Sequence, residues 1–340
     1  NSYTTQYDYQ NLTTNAWSGD GLEIEVLGHS IYALCVAYDE SSFDFYLTEA
    51  NTLANFALQF QETKGVLKGF FHGSYDDAEQ WSDNMGATHN GWMMAGLSYL
   101  YGLTSNATYK TSLDLIREAE CGWNWNGTLN VWNNGGNNNT QSISYKTALS
   151  AMSDGATLTG MSLYYKYVAQ NSTVLDRINK VETVGTTTLD WNNTAAIHKS
   201  AWEDNAYFLT GIYWSYQATS NVTYKNHFIN GTEILLSRMI QQPNLNGSAI
   251  SSVGYPLQWQ HDATDEIDGW GLHESLHLFY LANQLQSGSY WINALERSLF
   301  SHLYETQDDD GGFQRSTATA WVDKQYDGSP AFVHMALQLY

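Results

Sequence analysis

The chain is poor in proline, cysteine and positive charge, and each shortage narrows what it can be. Three prolines in 340 residues leave helices free to run, because proline in a helix interior breaks it. Two cysteines, Cys35 and Cys121, cannot staple a disulfide scaffold, so a packed core must hold the fold. Whether they pair or stay free thiols is left open. Fourteen basic residues against 35 acidic ones give a formal charge of -21, and such a surface repels nucleic acid, anionic membranes and polyuronates. No apolar run reaches the roughly 20 residues of a membrane-spanning helix. No linker rich in Pro, Gly or Ser divides the chain, so one domain over residues 1–340 is the expectation. The opening Asn1-Ser2-Tyr3 reads as an N-terminus left by signal-peptide removal.

Asparagine is abundant instead. Sequons of the form Asn-x-Ser/Thr begin at Asn11, Asn106, Asn126, Asn138, Asn171, Asn192, Asn221, Asn230 and Asn246. Together they point to a secreted or extracellular-surface protein bearing covalent N-glycans.

An internal repeat organises the chain. Tyr101-Gly-Leu-Thr-Ser-Asn-Ala-Thr-Tyr109-Lys110 recurs as Tyr216-Gln-Ala-Thr-Ser-Asn-Val-Thr-Tyr224-Lys225, with weaker copies starting at Tyr38, Tyr167 and Ala282. Each copy lies between segments whose apolar residues recur at three- and four-residue steps, as in Gly91 to Leu103 and Tyr109 to Ala119. Helix, short polar turn, helix is an αα-hairpin, with Ser or Thr before the second helix as a candidate N-cap. Longer aromatic, Gly/Asn-rich stretches, some of them candidate β-hairpins, separate the hairpins: Gly69 to Trp81, Gly122 to Thr140, Asn244 to Trp259 and Asp308 to Gly328. Ser329 to Tyr340 reads as the first helix of a sixth hairpin, with Thr4 to Ala16 as its partner. The expected fold is all-α, an (α/α)6 toroid with first helices inside, second helices outside, short turns on one face and long loops on the other. Asn106, Asn171 and Asn221 fall in the short turns, which leaves the long-loop face to bind a ligand.

Counting back from each turn aligns windows that begin at Ile24, Ala87, Ser153, Trp202 and Asp268. Glu25, His89, Asp154, Glu203, Asp204 and Asp268 then recur at one end of the inner helices. Acids also cap helix N-termini, but capping does not require Glu203 and Asp204 side by side.

The segment from Trp202 to Tyr224 resembles the signature of six-hairpin (α/α) toroid glycosidases. It is most similar to glycoside hydrolase family 76, the endo-α-1,6-mannanases, in which an aromatic and two consecutive acids open an inner helix. That family's adjacent Asp-Asp pair corresponds here to Glu203 and Asp204, the first acid being Glu. Tyr75-Asp76-Asp77 matches the letters better but lies too far ahead of its turn. The segment is also similar to a helix in N-acylglucosamine epimerase-like toroids, a cytoplasmic kind of enzyme that fits poorly with so many sequons.

The resemblance implies two-carboxylate glycosidic cleavage, in which one carboxyl protonates the leaving oxygen and the other acts as nucleophile or base. Glu203 and Asp204 are the first candidates, with Asp154 and Asp268 beside them. Trp202, Trp92, Trp270, Trp259, Tyr75 and Trp81 supply flat faces for sugar rings, and His89 stands at the same mouth. Clusters such as His261-Asp262 and His273-Glu274 lack a recognised metal-ligand spacing, so neither a metal nor a cofactor is expected. The leading expectation is a secreted glycoside hydrolase acting on a neutral oligo- or polysaccharide, with an α-mannan as candidate. The alternative is a non-catalytic extracellular glycoprotein that uses the toroid as a self-assembly module.

Overall fold

The computed structural model describes residues 9–11, 16–18, 22–75, 83–189, 202–241, 269–301 and 324–326. Five helical hairpins account for most of them. They are α1 (Ile24–Ser41) with α2 (Asp44–Ala57), α3 (Ala87–Thr104) with α4 (Ala107–Cys121), α5 (Ala151–Tyr167) with α6 (Ser172–Leu189), α7 (Trp202–Thr219) with α8 (Val222–Gln241), and α9 (Gly269–Leu285) with α10 (Ser289–Ser301). The odd-numbered helices pack side by side and form the inner ring of an (α/α)6 toroid; the even-numbered ones lie outside. Ser329 to Tyr340 lies outside the described residues.

The repeated decapeptide is the chemistry of the turn, letter by letter. Ser42, Ser105 and Ser220 are left-handed, with φ of 58, 53 and 57°, and their N–H groups donate to Tyr38, Tyr101 and Tyr216 carbonyls at 2.7 Å. This closes α1, α3 and α7 in an αL cap. The hydroxyls of Thr104 and Thr219 bond back to Leu100 and Ser215 and accept the N–H of Asn106 and Asn221. Those asparagines N-cap the outer helices by accepting the N–H of Thr108 at 2.9 Å and of Thr223 at 3.0 Å. Finally, Tyr109 donates its phenol to Asn51 on α2 and Tyr224 to Asn179 on α6, tying each outer helix to the one before it.

Glycines set the inner ring's spacing. Gly28, Gly91 and Gly155 each occupy the fifth position of an inner helix. A Cβ on Gly28 would fall 2.5 Å from the backbone of Trp92 and Met93, and one on Gly91 2.5 Å from Ala156 and Thr157; Gly155 is pressed as closely on Tyr207 and Phe208. At the tenth position of α3, α5 and α7, Gly96, Gly160 and Gly211 face the carbonyls of Gly28, Gly91 and Gly155 in turn. Neighbouring helices therefore run parallel and in register. All their N-termini open on one mouth and all the short turns lie at the other end.

Short antiparallel strands feed that mouth. β1 (Tyr9–Asn11) pairs with β2 (Ala16–Ser18) and with β10 (Lys324–Tyr326). The segment Thr4 to Ala16 is therefore not a helix where it is described, because Tyr9–Asn11 finds its backbone partners in a sheet. β3 (Leu22–Glu23) runs straight into α1 and pairs with β4 (Ser74–Tyr75). β5 (Asn84–Gly86) runs into α3 and pairs with β8 (Gly135–Asn137), itself paired with β9 (Ser142–Ile143); β6 (Trp125–Asn126) pairs with β7 (Val131–Trp132).

Candidate active site

Glu25, the second residue of α1, is only 3% exposed. The Tyr207 phenol, on α7, donates to its Oε1 at 3.1 Å, and Nε2 of His89, on α3, stands 3.6 Å from its Oε2. Three inner helices thus meet on one carboxylate. The His89 ring lies over Gly86, where a Cβ would come within 2.7 Å of Nδ1. That nitrogen is buried without a hydrogen-bond partner among the described residues, although 23% of the side chain is exposed. Desolvation lowers the His89 pKa to about 4, so the imidazole is neutral near pH 7.

Beneath this group the lumen is filled. His29, one turn below Glu25, meets Trp92 edge-on with ring centroids 4.0 Å apart, and Trp92 in turn packs edge-on to Tyr207 at 5.3 Å. Trp92 is fully buried, so the structure makes it lumen packing rather than the sugar platform expected from the sequence. One level lower, the Tyr32 hydroxyl accepts from Trp214 Nε1 at 3.0 Å and bonds His277 Nε2 at 3.1 Å. Glu25, His29 and Tyr32 recur at i, i+4 and i+7, as one lumen-facing stripe of α1 requires.

Asp154 also stands at an inner-helix N-terminus, but its carboxylate is fully engaged. Oδ1 accepts Trp132 N–H at 2.9 Å; Oδ2 accepts Ser150 N–H at 2.8 Å and meets Lys146 Nζ at 3.0 Å. Instead of facing substrate as an open acid, it holds the β6–β9 loops against α5. Behind it Glu120 is fully buried, hydrogen-bonded to Asn124 at 2.7 Å, with its pKa raised to about 8 by desolvation. Glu274, on α9, is likewise fully buried, and burial pushes its pKa well above the usual carboxylate range.

Glu203 and Asp204 fall in the first turn of α7, one turn ahead of Tyr207, and Trp202 and Trp270 open α7 and α9. Tyr75 sits on β4 opposite Leu22, beside the entry to α1. Asp268, Trp259 and Trp81 lie outside the described residues, as do Asn192 and Asn246. In the sequence Glu25 aligns with the other mouth acids without standing out from them, and Glu274 stands out only as the neighbour of His273. The signal for Glu25 was the stripe it shares with His29 and Tyr32.

No protein-family model and no curated protein matches this sequence. Solved structures do resemble it. The cellobiose 2-epimerase of Bacillus thermoamylovorans superposes with a TM-score of 0.75 at 13% identity, over 100% of this chain and 93% of that one. A GH76 alpha-mannanase of Bacteroides thetaiotaomicron gives 0.65 at 12% identity, over 94% and 86% of the two chains. An inactive alpha-1,6-mannanase of a Salegentibacter species, with two consecutive aspartates replaced by alanine and alpha-1,6-mannotetrose bound, gives 0.58 at 16% identity, over 92% and 88%. The chain has the (α/α)6 toroid fold of these sugar-processing enzymes.

Proposed function

We propose that this protein is a secreted glycoside hydrolase that cleaves a neutral polysaccharide, an α-1,6-mannan first among the candidates, by a two-carboxylate mechanism. One observation carries the reading: the buried Glu25 carboxylate is tied to α7 by Tyr207, one turn below the Glu203-Asp204 pair. The N-termini of two inner helices that carry acids thereby open on one mouth. The comparison adds support, since a mannanase of this fold is inactive once two consecutive aspartates are replaced, and Glu203-Asp204 are consecutive acids opening an inner helix. In this reading Glu203 and Asp204 supply the acid and the nucleophile or base. Glu25 acts with them as a third carboxylate, from α1, Asp268 is the further acid of the set, and Asp154 and Lys146 hold the β6–β9 loops against α5. Trp202, Trp270, Trp259, Tyr75 and Trp81 hold the sugar rings. The charge of -21 matches an uncharged substrate.

A second reading, sugar epimerisation, is favoured by the position of His89 beside Glu25, where its unprotonated imidazole can take up a proton from a sugar carbon. The products separate the two. A panel of neutral polysaccharides including α-1,6-mannan is assayed for new reducing ends, alongside reducing disaccharides in D2O scored for deuterium at C2. Hydrolysis gives reducing ends that Glu203→Gln and Asp204→Asn each cut by about 10²–10⁴-fold. Deuterium uptake without reducing ends replaces this reading with epimerisation. Neither signal on any substrate leaves the non-catalytic, self-assembling glycoprotein.

A further inference from the structure

The sequons are not equivalent once the hydrogen bonds of each asparagine amide are counted. Asn106, Asn171 and Asn221 are N-caps of α4, α6 and α8. Each caps with its Oδ1, accepting the N–H of Thr108 at 2.9 Å, of Thr173 at 2.8 Å and of Thr223 at 3.0 Å. The Nδ2 of Asn171 donates no hydrogen bond among the described residues, and the Asn106 and Asn221 amides reach only the phenols of Tyr109 and Tyr224 on their own outer helices. Asn221 is exposed, Asn106 and Asn171 half-buried, and all three stand in the short turns, at the end of the ring away from Glu25.

Asn126 is built differently. Its Oδ1 accepts the N–H groups of Thr128 and Leu129 at 3.2 Å, while its Nδ2 donates to Asn133 Oδ1 and to the Lys146 carbonyl, both at 3.4 Å. Asn133 and Lys146 are buried, and Lys146 is the cation paired with Asp154. Both protons of the Asn126 amide therefore point inward, into the contacts that pin the β6–β9 loops.

We propose that the folded protein carries N-glycans on Asn106, Asn171 and Asn221 and none on Asn126, so that three neighbouring hairpins bear a sugar collar on the turn face. In the transfer, Nδ2 attacks the anomeric carbon of an oligosaccharide held on a polyprenyl diphosphate. The N–C bond forms, the C–O bond to the diphosphate breaks, the amide loses one proton and the lipid diphosphate leaves. The product amide keeps its Oδ1 acceptor, so an N-cap survives glycosylation. It keeps a single N–H, so the paired donation of Asn126 does not survive, and the bulk of the sugar would displace the loop from α5. Transfer precedes folding, so selection acts on what folds and leaves the cell.

This inference rests on passage through a secretory compartment and not on hydrolase activity. The full chain is secreted from a eukaryotic host and its glycopeptides are read by mass spectrometry. Sugar on most copies of Asn106, Asn171 and Asn221, with Asn126 bare, is the expected result. Bare asparagine at those three turns, or folded protein with Asn126 occupied, overturns it. Thr108→Ala, Thr173→Ala and Thr223→Ala destroy each sequon but keep the asparagine cap. Each should lower the intact mass by one glycan without shifting the melting temperature, whereas Thr128→Ala should remove no glycan. A glycan lost with Thr128→Ala contradicts the assignment.

Discussion

The two ends of the inner ring are made from the same five helices and are chemically unlike. At the turn end, polar side chains close on one another: Tyr99 donates to Asp39 at 2.7 Å, Tyr280 to Glu40 at 2.6 Å, and Lys166 lies over the rings of Tyr167 and Trp214. Burial and neighbouring acids raise these phenols out of the titrating range, Tyr167 to about 12 and Tyr99 and Tyr280 further. At the mouth end, buried titratable groups stand where ordinary pH reaches them: His89 at about 4 and, on the outer helix α4 behind Asp154, Glu120 at about 8. One end is a fastening and the other holds groups whose protonation changes within the ordinary pH range. The difference follows from connection length, since short turns fix the helix C-termini whereas long loops must be folded over the N-termini.

The comparison breaks most severely at the glycines that hold both ends in register. Gly155→Ala drives a methyl into the backbone of Tyr207 and Phe208, where no side chain can swing aside. Urea unfolding is expected to show a loss of about 3 kcal/mol, at the upper end for overpacking. A neutral result would mean the helices do not approach as described. Tyr32→Phe sharpens the contrast from the other side. It removes the acceptor of the buried Trp214 indole and should cost about 1–3 kcal/mol without changing any activity of the mouth. A matching loss of turnover at intact stability would extend the functional region down the lumen.

The pH dependence separates the ends with a smaller effect. The pKa of Glu120 is raised from 4.5 to about 8 in the fold, so the native state holds a proton the unfolded chain releases. Its contribution to stability is complete below about pH 4.5 and is lost as pH rises through about 8. His89, lowered from 6.5 to about 4, acts oppositely: its contribution is complete above about 6.5 and lost as pH falls through about 4. Melting temperature recorded against pH should therefore fall more gently between 5 and 8 in Glu120→Gln than in the wild type. Identical slopes would remove Glu120 from the account.

The turn end was the more legible in sequence, for a physical reason. An αL cap and an N-cap each accept few residue types, so Thr104-Ser105-Asn106 and Thr219-Ser220-Asn221 had to repeat nearly letter for letter. The mouth was only half legible. The recurrence of acids placed Glu25 and Asp154 correctly on inner-helix N-termini, but residue type alone cannot tell an acid gripped by Lys146 from one facing a cleft. The aromatics were read less well. Trp92 is one of many rings on apolar helix faces, and only packing against His29 and Tyr207 reveals it as lumen filling. Gly28, Gly91 and Gly155 went unread because apolar periodicity weighs large residues, while a close helix contact is marked by having no side chain.

The most direct test of the mouth as the functional end is Glu25→Gln, measured for turnover on the best substrate from the polysaccharide panel and for melting temperature in the same preparation. The amide keeps the size of the side chain and an oxygen to accept the Tyr207 phenol, so the melting temperature should stay close to wild type. Turnover should fall by about 10²-fold or more, as expected when a carboxyl acting on the transition state is neutralised. Full turnover, or a loss of activity that only follows a loss of stability, would contradict the account.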